Sequence, residues 1–254
     1  MTDIHHLRET FNSAAEDYDA IRPGYPDQLF EDVISLSGIP EAGHALEVGC
    51  GTGQATLPFA RRGYKILCLD IGAKMLAVAR KKLSAFPKVE FQNVSFEEWP
   101  LVDGGFDLVF SATAFHWVPR EIGYAKAARA LKPGGALAVF TNRPPRPFTG
   151  FAADVQAVYR QIVPEWKEFA DQPSVEGEVR ETSEYIQSTG LYAGVTVRTY
   201  PWLRAYSTRE YLQLLNTYSD HIRLEESRRK ALYQSIAGLI ERRYSGKVER
   251  PYLT

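Results

Sequence analysis

Two cysteines in 254 residues are too few for a disulfide framework. Cys50 sits in a glycine turn and Cys68 in an apolar strand, a usage that suits a reducing, cytoplasmic setting. An excess of one charge is also missing. Thirty Lys and Arg face 31 Asp and Glu, a formal net charge of −1, so no large electrostatic term favours nucleic acid. The basic runs Arg228-Arg229-Lys230 and Arg242-Arg243 are interleaved with acids in helical stretches and read as solvated faces. No apolar run approaches the roughly 18 residues of a membrane span. Residues 1–6 carry no apolar signal core, so neither a leader nor a membrane partner is expected. Five histidines are scattered without Cys/His/acid grouping at ligand spacing, and no metal is expected. Internal repeats are missing, and the one biased segment is the short proline cluster at residues 144–147.

What is present begins with Ala45-Leu46-Glu47-Val48-Gly49-Cys50-Gly51-Thr52-Gly53-Gln54. A short apolar run predicts a buried strand that stops in a glycine-rich turn. Ala55, Leu57, Phe59 and Ala60 then follow at helical spacing. Glycines at 49, 51 and 53 adopt positive φ without a Cβ penalty and let a ligand approach the backbone. Thr52 is the expected N-cap of the following helix. The dinucleotide fingerprint requires a third glycine where Gln54 stands. A second apolar strand, Lys65–Asp70, ends in an acid roughly 20 residues beyond the first glycines, where a ribose-binding carboxylate belongs. Asp70 is otherwise read as a favourable acid at the N-terminus of the helix over 73–83.

Strands at Val89–Asn93, 106–111 and 136–140 alternate with helices at 73–83 and 121–131, the pattern of a parallel, doubly wound α/β sheet. Residues 7–20 predict an amphipathic helix through Phe11, Ala14, Ala15 and Tyr18. A proline-glycine turn and a helix over Asp27–Ser37 closed by Gly38 follow. Residues 151–191 read as mostly helical, with Tyr159, Trp166 and Phe169 as apolar anchors. The alternation over 195–206 predicts strand six, Thr208 a helix cap, residues 224–244 a long charged helix, and Lys247–Leu253 a short last strand.

The set Glu47/Gly49/Gly51/Gly53 resembles motif I of the class I (Rossmann-like) methyltransferases that use S-adenosylmethionine. Residues 11–26 are similar to the N-terminal segment of the small-molecule type related to trans-aconitate methyltransferases, and 129–137 to the family's post-helix motif. The resemblance implies a mostly parallel seven-stranded sheet with a helical insertion between strands five and six. The implied parts are an N-terminal cap (1–40), a cofactor-binding core (41–142), an acceptor-pocket insertion (143–193) and C-terminal strands and helices (194–254). The family usually continues further, so the last strand is expected to be clipped.

By the same resemblance, Glu47 holds the methionine ammonium, and Gly49, Cys50, Gly51, Gly53 and Gln54 pack against methionine and ribose. Asp70 takes the ribose hydroxyls, and Ile71 and Met75 touch the adenine. Family members often place an aspartate and a small residue at the next position. This chain has Ser95 and Phe96, whose hydroxyl and backbone N–H are offered to the adenine instead. Ala112 lines the cofactor site. Tyr18 and Arg22 are candidates for the methionine end, with a surface salt bridge as the other reading of Arg22. Residues 115–118 replace the Asn/Asp-Pro-Pro-Tyr sequence of the amino-methylating nucleic-acid enzymes, which implies a small acceptor. Tyr25, His116, Trp117 and Arg143 are the candidates to meet it, though Trp117 also reads as packing.

Methyl transfer is an in-line displacement in which charge disperses, so the protein must align the reactants and exclude water. A hydroxyl acceptor needs a base, and His116 is the candidate catalytic residue. A carboxylate acceptor needs none, and Arg22 or Arg143 would bind it bidentately. The expectation is therefore a cytoplasmic methyltransferase, monomer or homodimer, that converts S-adenosylmethionine to S-adenosylhomocysteine. The alternatives are a non-catalytic S-adenosylmethionine-binding protein and a nicotinamide-dependent oxidoreductase, against which Gln54 argues.

Overall fold

The computed structural model describes residues 15–166 and 174–254. The start of the helix expected over 7–20, with Phe11 and Ala14, and the anchor Phe169 lie outside the described residues. Two compact units divide the chain. The first takes residues 1–20, 24–142 and 189–194, and the second takes 21–23, 143–188 and 195–254.

In the first unit, α1 (Ala15–Ile21, its last residue already in the second unit) and α2 (Asp27–Ser37) precede the sheet. Pro26 occupies the N-cap of α2, and Gly38 closes the helix in the left-handed conformation, φ 61°. There follow β1 (His44–Val48), α3 (Thr56–Arg61), β2 (Lys65–Asp70), α4 (Ala73–Lys82), β3 (Val89–Asn93) and β4 (Phe106–Ala112). A 3-10 turn (Phe115–Trp117), α5 (Arg120–Ala130) and β5 (Leu131–Phe140) complete the unit's regular elements. The strands form one sheet in the order β3-β2-β1-β4-β5, every neighbouring pair parallel. The chain steps outward from β1 through β2 to β3 and then returns to β4 beside β1, so the order reverses between β1 and β4. Open α/β sheets bind ligands at the carboxyl ends of the strands at such a reversal. β1 and β2 are buried almost throughout, which is why they read as unbroken apolar runs rather than alternations. The turn expected at 132–135 falls inside β5, whose register against β4 shifts between Phe106 and Leu108.

The second unit holds α6 (Gly150–Ile162), α7 (Val175–Ser188), β6 (Pro201–Ser207), α8 (Thr208–Leu215), α9 (Ser219–Arg223), α10 (Glu226–Tyr244) and β7 (Lys247–Leu253). Here the expected seven-stranded sheet is corrected. Among the described residues the parallel sheet has five strands, and β6 and β7 form a separate antiparallel pair. Strand six starts at Pro201 and not at Val195. The ladder reaches one residue further through Tyr200, which exchanges both backbone hydrogen bonds with Thr254, and Val197 is left 44% exposed. Period-two alternation identifies a face but not a pairing partner, so the sequence over-extends this strand. The cap of α8 also differs from expectation. Ser207 and Glu210 make a reciprocal capping box, and Thr208 is the first helical residue. The unit's core gathers Phe151, Tyr206, Leu214, Leu232, Ile236 and Ile240.

Candidate functional site

The site is built at the carboxyl ends of β1, β2 and β4. β1 ends in a turn whose three glycines all have positive φ: 72° at Gly49, 54° at Gly51 and 77° at Gly53. They do different work. A Cβ on Gly49 would lie 2.5 Å from the Ala114 Cβ, and one on Gly53 would lie 2.8 Å from the Leu83 Cδ1. Protein packing therefore occupies the bare faces of those two. A Cβ on Gly51 would meet only the Met75 Cε, at 3.5 Å. Gly51 is the glycine of this turn whose face stays open. Gly49→Ala is accordingly expected to lower stability by more than the roughly 1–2 kcal/mol of left-handed strain alone. Gly51→Ala should cost about that strain and no more, yet remove ligand binding. Thermal denaturation beside a binding titration separates the two effects, and equal losses of stability would contradict this division.

Thr52 does not cap the next helix. α3 begins at Thr56 with Ala55 at its N-cap and no side-chain bond, because the turn runs on through residue 55. The Thr52 hydroxyl is buried without a hydrogen-bond partner among the described residues.

Asp70, half-buried at the tip of β2, spans the turn. Its Oδ2 accepts from the Gly51 N–H at 2.8 Å and its Oδ1 from the Gly72 N–H at 2.7 Å. Burial raises its pKa, and the two backbone bonds oppose the rise. Each oxygen keeps a second lone pair, enough to receive two hydroxyls. Ile71 is half-buried beside it and Met75 is buried against the turn.

Glu47 is fully buried. Its Oε2 accepts from the Thr56 hydroxyl at 2.5 Å and lies 3.8 Å from the Cys68 sulfur. Its Oε1 has no partner among the described residues. Burial pushes this acid up to about 8. Native structures rarely leave such atoms unpaired, so Oε1 and the Thr52 hydroxyl mark a place where a ligand's polar groups fit. A cationic ammonium suits the carboxylate best. Cys50 and Cys68 are free and buried, and burial pushes both thiols up. They are packing residues and not nucleophiles.

Gln54 reaches α1, donating to the Asp19 carbonyl at 3.2 Å, and Asp19 forms an ion pair with Lys82. The N-terminal helix is thereby brought to the turn, with half-buried Tyr18 beside Asp19. Ser95 is buried and engaged locally. It donates to the Glu98 carboxylate at 3.0 Å and accepts from the Glu98 N–H at 3.2 Å. The Phe96 ring is buried, stacked near Trp99 at 6.3 Å with the Lys126 ammonium 5.6 Å away.

Beyond half-buried Ala112, Thr113 has φ 56° and bonds the Tyr25 hydroxyl at 2.8 Å. The Tyr25 ring stands edge-on to Phe140 at 5.1 Å. In the 3-10 turn Phe115 is buried, Trp117 half-buried and His116 exposed, with the last two rings 4.9 Å apart. Two candidates belong to the second unit. Arg22 donates to the Thr217 carbonyl at 2.7 Å and lies 4.7 Å over the Tyr218 ring. Arg143 pairs with Glu178 at 2.6 Å. The sequence reading missed Thr56 and Cys68 around Glu47, and Ala114 against Gly49. Only the fold joins these, and no local signal marks them.

Among the described residues, no group of three or more His, Cys, Asp or Glu gathers as for a metal, and no helix is long and apolar enough to cross a membrane. A family model for a methyltransferase domain matches residues 45–135, the stretch that holds β1 to β4 and the turn. A methyltransferase-like protein of Schizosaccharomyces pombe is 28% identical over 90% of this chain and 84% of its own length. Other curated relatives, 30–35% identical, are matched over 52–61% of their length. Among solved structures, a protein of Anaeromyxobacter dehalogenans described as a type II methyltransferase superposes with TM-score 0.64 at 21% identity, over 91% of this chain and 94% of that one. A phosphoethanolamine N-methyltransferase of Haemonchus contortus, in complex with S-adenosyl-L-methionine, superposes with TM-score 0.53 at 15% identity, over 95% of this chain and 56% of that one.

Proposed function

We propose that the chain, whose residues 45–135 match a methyltransferase-domain model, is a class I, Rossmann-like methyltransferase that transfers a methyl group from S-adenosylmethionine to a small-molecule acceptor. The observation that carries the reading is the pairing of Asp70 with the open face of Gly51, one strand away from the unsatisfied Glu47 Oε1. Those features suit the vicinal hydroxyls and the ammonium of one ligand. The donor, when bound, supplies an activated methyl on a sulfonium.

The residues then take these roles. Asp70 accepts the two ribose hydroxyls. Glu47, ionised, balances the methionine ammonium. Gly51 admits the ligand to the backbone, and Ile71 and Met75 give the adenine an apolar wall beside the Phe96 N–H. Tyr18 and Gln54 close the methionine end. His116 and Trp117, at the exit of β4, stand on the acceptor side with Tyr25, and His116 removes the proton of a hydroxyl acceptor.

Calorimetry should give a micromolar dissociation constant for S-adenosylmethionine, on the order of −8 kcal/mol, and no heat with NADH. Release of S-adenosylhomocysteine should then follow with one or more members of a panel of small phenols, carboxylic acids and amines. Failure to bind S-adenosylmethionine would remove the cofactor assignment. Binding without release across the whole panel would remove the acceptor class.

A further inference from the structure

The second unit contains a cavity of about 110 Å³ that the roles above leave unused. Its walls are mostly apolar and aromatic, among them Pro145, Val155, Tyr159 and Trp166, with His221 and Arg250 among the polar members. Val155 and Tyr159 come from one face of α6, four residues apart. Cavities of roughly 150 Å³ lined by apolar side chains hold a single benzene ring, so this one is scaled to one ring and not to a fused system.

His221 is 2% exposed. Its Nε2 lies 3.2 Å from the Tyr159 hydroxyl, and its Nδ1 is buried without a partner among the described residues. Four rings surround it: Trp166 at 5.0 Å, Tyr159 at 5.7 Å, Tyr233 at 5.8 Å and Tyr218 at 6.0 Å between centroids. Burial pushes the imidazole down to about 4, with Arg250 adding to the fall and Asp220 opposing it. The ring is neutral at pH 7, with one nitrogen a donor and the other an acceptor. An unsatisfied polar atom in such surroundings is costly, so a partner that reaches it gains affinity. A hydroxyl can donate or accept, so it satisfies Nδ1 in either tautomer.

Charge narrows the ligand further. The Arg250 Nη1 donates to the Tyr218 hydroxyl at 2.6 Å, and its guanidinium lies 5.6 Å from the Tyr218 ring and 5.0 Å from the Tyr252 ring. Arg22 also lies over Tyr218. A cationic ligand would meet a guanidinium and find the Tyr218 π system already in use. Asp220, also on the lining, disfavours an anion. We propose that this cavity binds a neutral, single-ring aromatic molecule through a ring hydroxyl hydrogen-bonded to His221 Nδ1.

The test is calorimetry or ligand-observed NMR on the full chain, with phenol, toluene and benzylammonium as probes. Phenol should bind about fivefold or more tightly than toluene, the equivalent of roughly one hydrogen bond, and benzylammonium should not compete. His221→Phe keeps an aromatic ring while removing both nitrogens, and should bring the phenol-to-toluene ratio to about one. Ala152→Phe, a half-buried lining position on α6, should abolish binding of both and leave S-adenosylmethionine affinity unchanged. Equal binding of phenol and toluene, a preference that survives His221→Phe, or phenol binding unaffected by Ala152→Phe would each overturn the proposal. A bridging water between His221 and Tyr233 in place of a ligand gives the first of these results. The binding arm stands apart from methyl transfer.

Discussion

Asp70→Ala is expected to weaken S-adenosylmethionine binding by about 100-fold. Each carboxylate oxygen already takes one backbone N–H, from Gly51 and Gly72, and retains capacity for one ribose hydroxyl. Two hydrogen bonds to a charged acceptor, at about 1.5 kcal/mol each, amount to about 3 kcal/mol, or roughly two decades in affinity. The loss is not confined to the ligand, because the Gly51 N–H loses its acceptor too and the turn loosens. Asp70→Asn should do little better. Its amide group would oppose one of the two N–H donors that the carboxylate satisfies. A comparison of adenosine with adenine isolates the ribose from the turn. Wild-type protein should prefer adenosine, and Asp70→Ala should bind the two alike. If adenosine keeps its advantage in the variant, Asp70 does not hold the ribose.

Residues that act through their neighbours in sequence were legible, and those that act across the fold were not. β2 and β3 have the bounds expected of them, Lys65–Asp70 and Val89–Asn93: β2 because a parallel strand buried on both faces leaves an unbroken apolar signal, and β3 because Val89 and Phe91 alternate with polar neighbours along an exposed edge strand. The positive φ of Gly49, Gly51 and Gly53 was equally readable. Which glycine stays open was not, because it depends on Ala114 and Leu83, tens of residues away. Arg22 illustrates the same limit. A proline-glycine turn made it a candidate for a ligand, while its guanidinium finds the carbonyl of Thr217, 195 residues on. The five-stranded sheet and the separate β6–β7 pair differ from the expected seven strands for a related reason. Alternation marks a strand, but its partner is chosen by long-range packing.

Glu47→Gln should raise stability and abolish the pH dependence of cofactor binding. Burial pushes the acid up to about 8 in the folded protein, from about 4.5 in an unfolded chain. A folded-state pKa above the unfolded value means that the native state holds the proton more tightly. Its contribution to stability is full below about pH 4.5 and is lost as pH rises towards 8. The loss is on the order of a few kcal/mol. Glutamine has no proton to lose, so at pH 8 the variant should melt about 4–10 °C above wild type, at roughly 2–4 °C per kcal/mol. At pH 4.5 the difference should nearly vanish. Cofactor binding runs the other way. An ammonium beside Glu47 requires the carboxylate, so binding expels a proton whenever the free acid is protonated. Affinity in wild type should therefore climb with pH, by up to about tenfold per unit between roughly pH 6 and pH 8. The ligand's own α-amino group, near 8, titrates identically against both proteins and cancels in the comparison. The variant should bind weakly with no such climb. A wild-type affinity that is level across this window, matched by a Gln variant of unchanged affinity, would detach Glu47 from the methionine ammonium and leave it a buried acid that only costs stability.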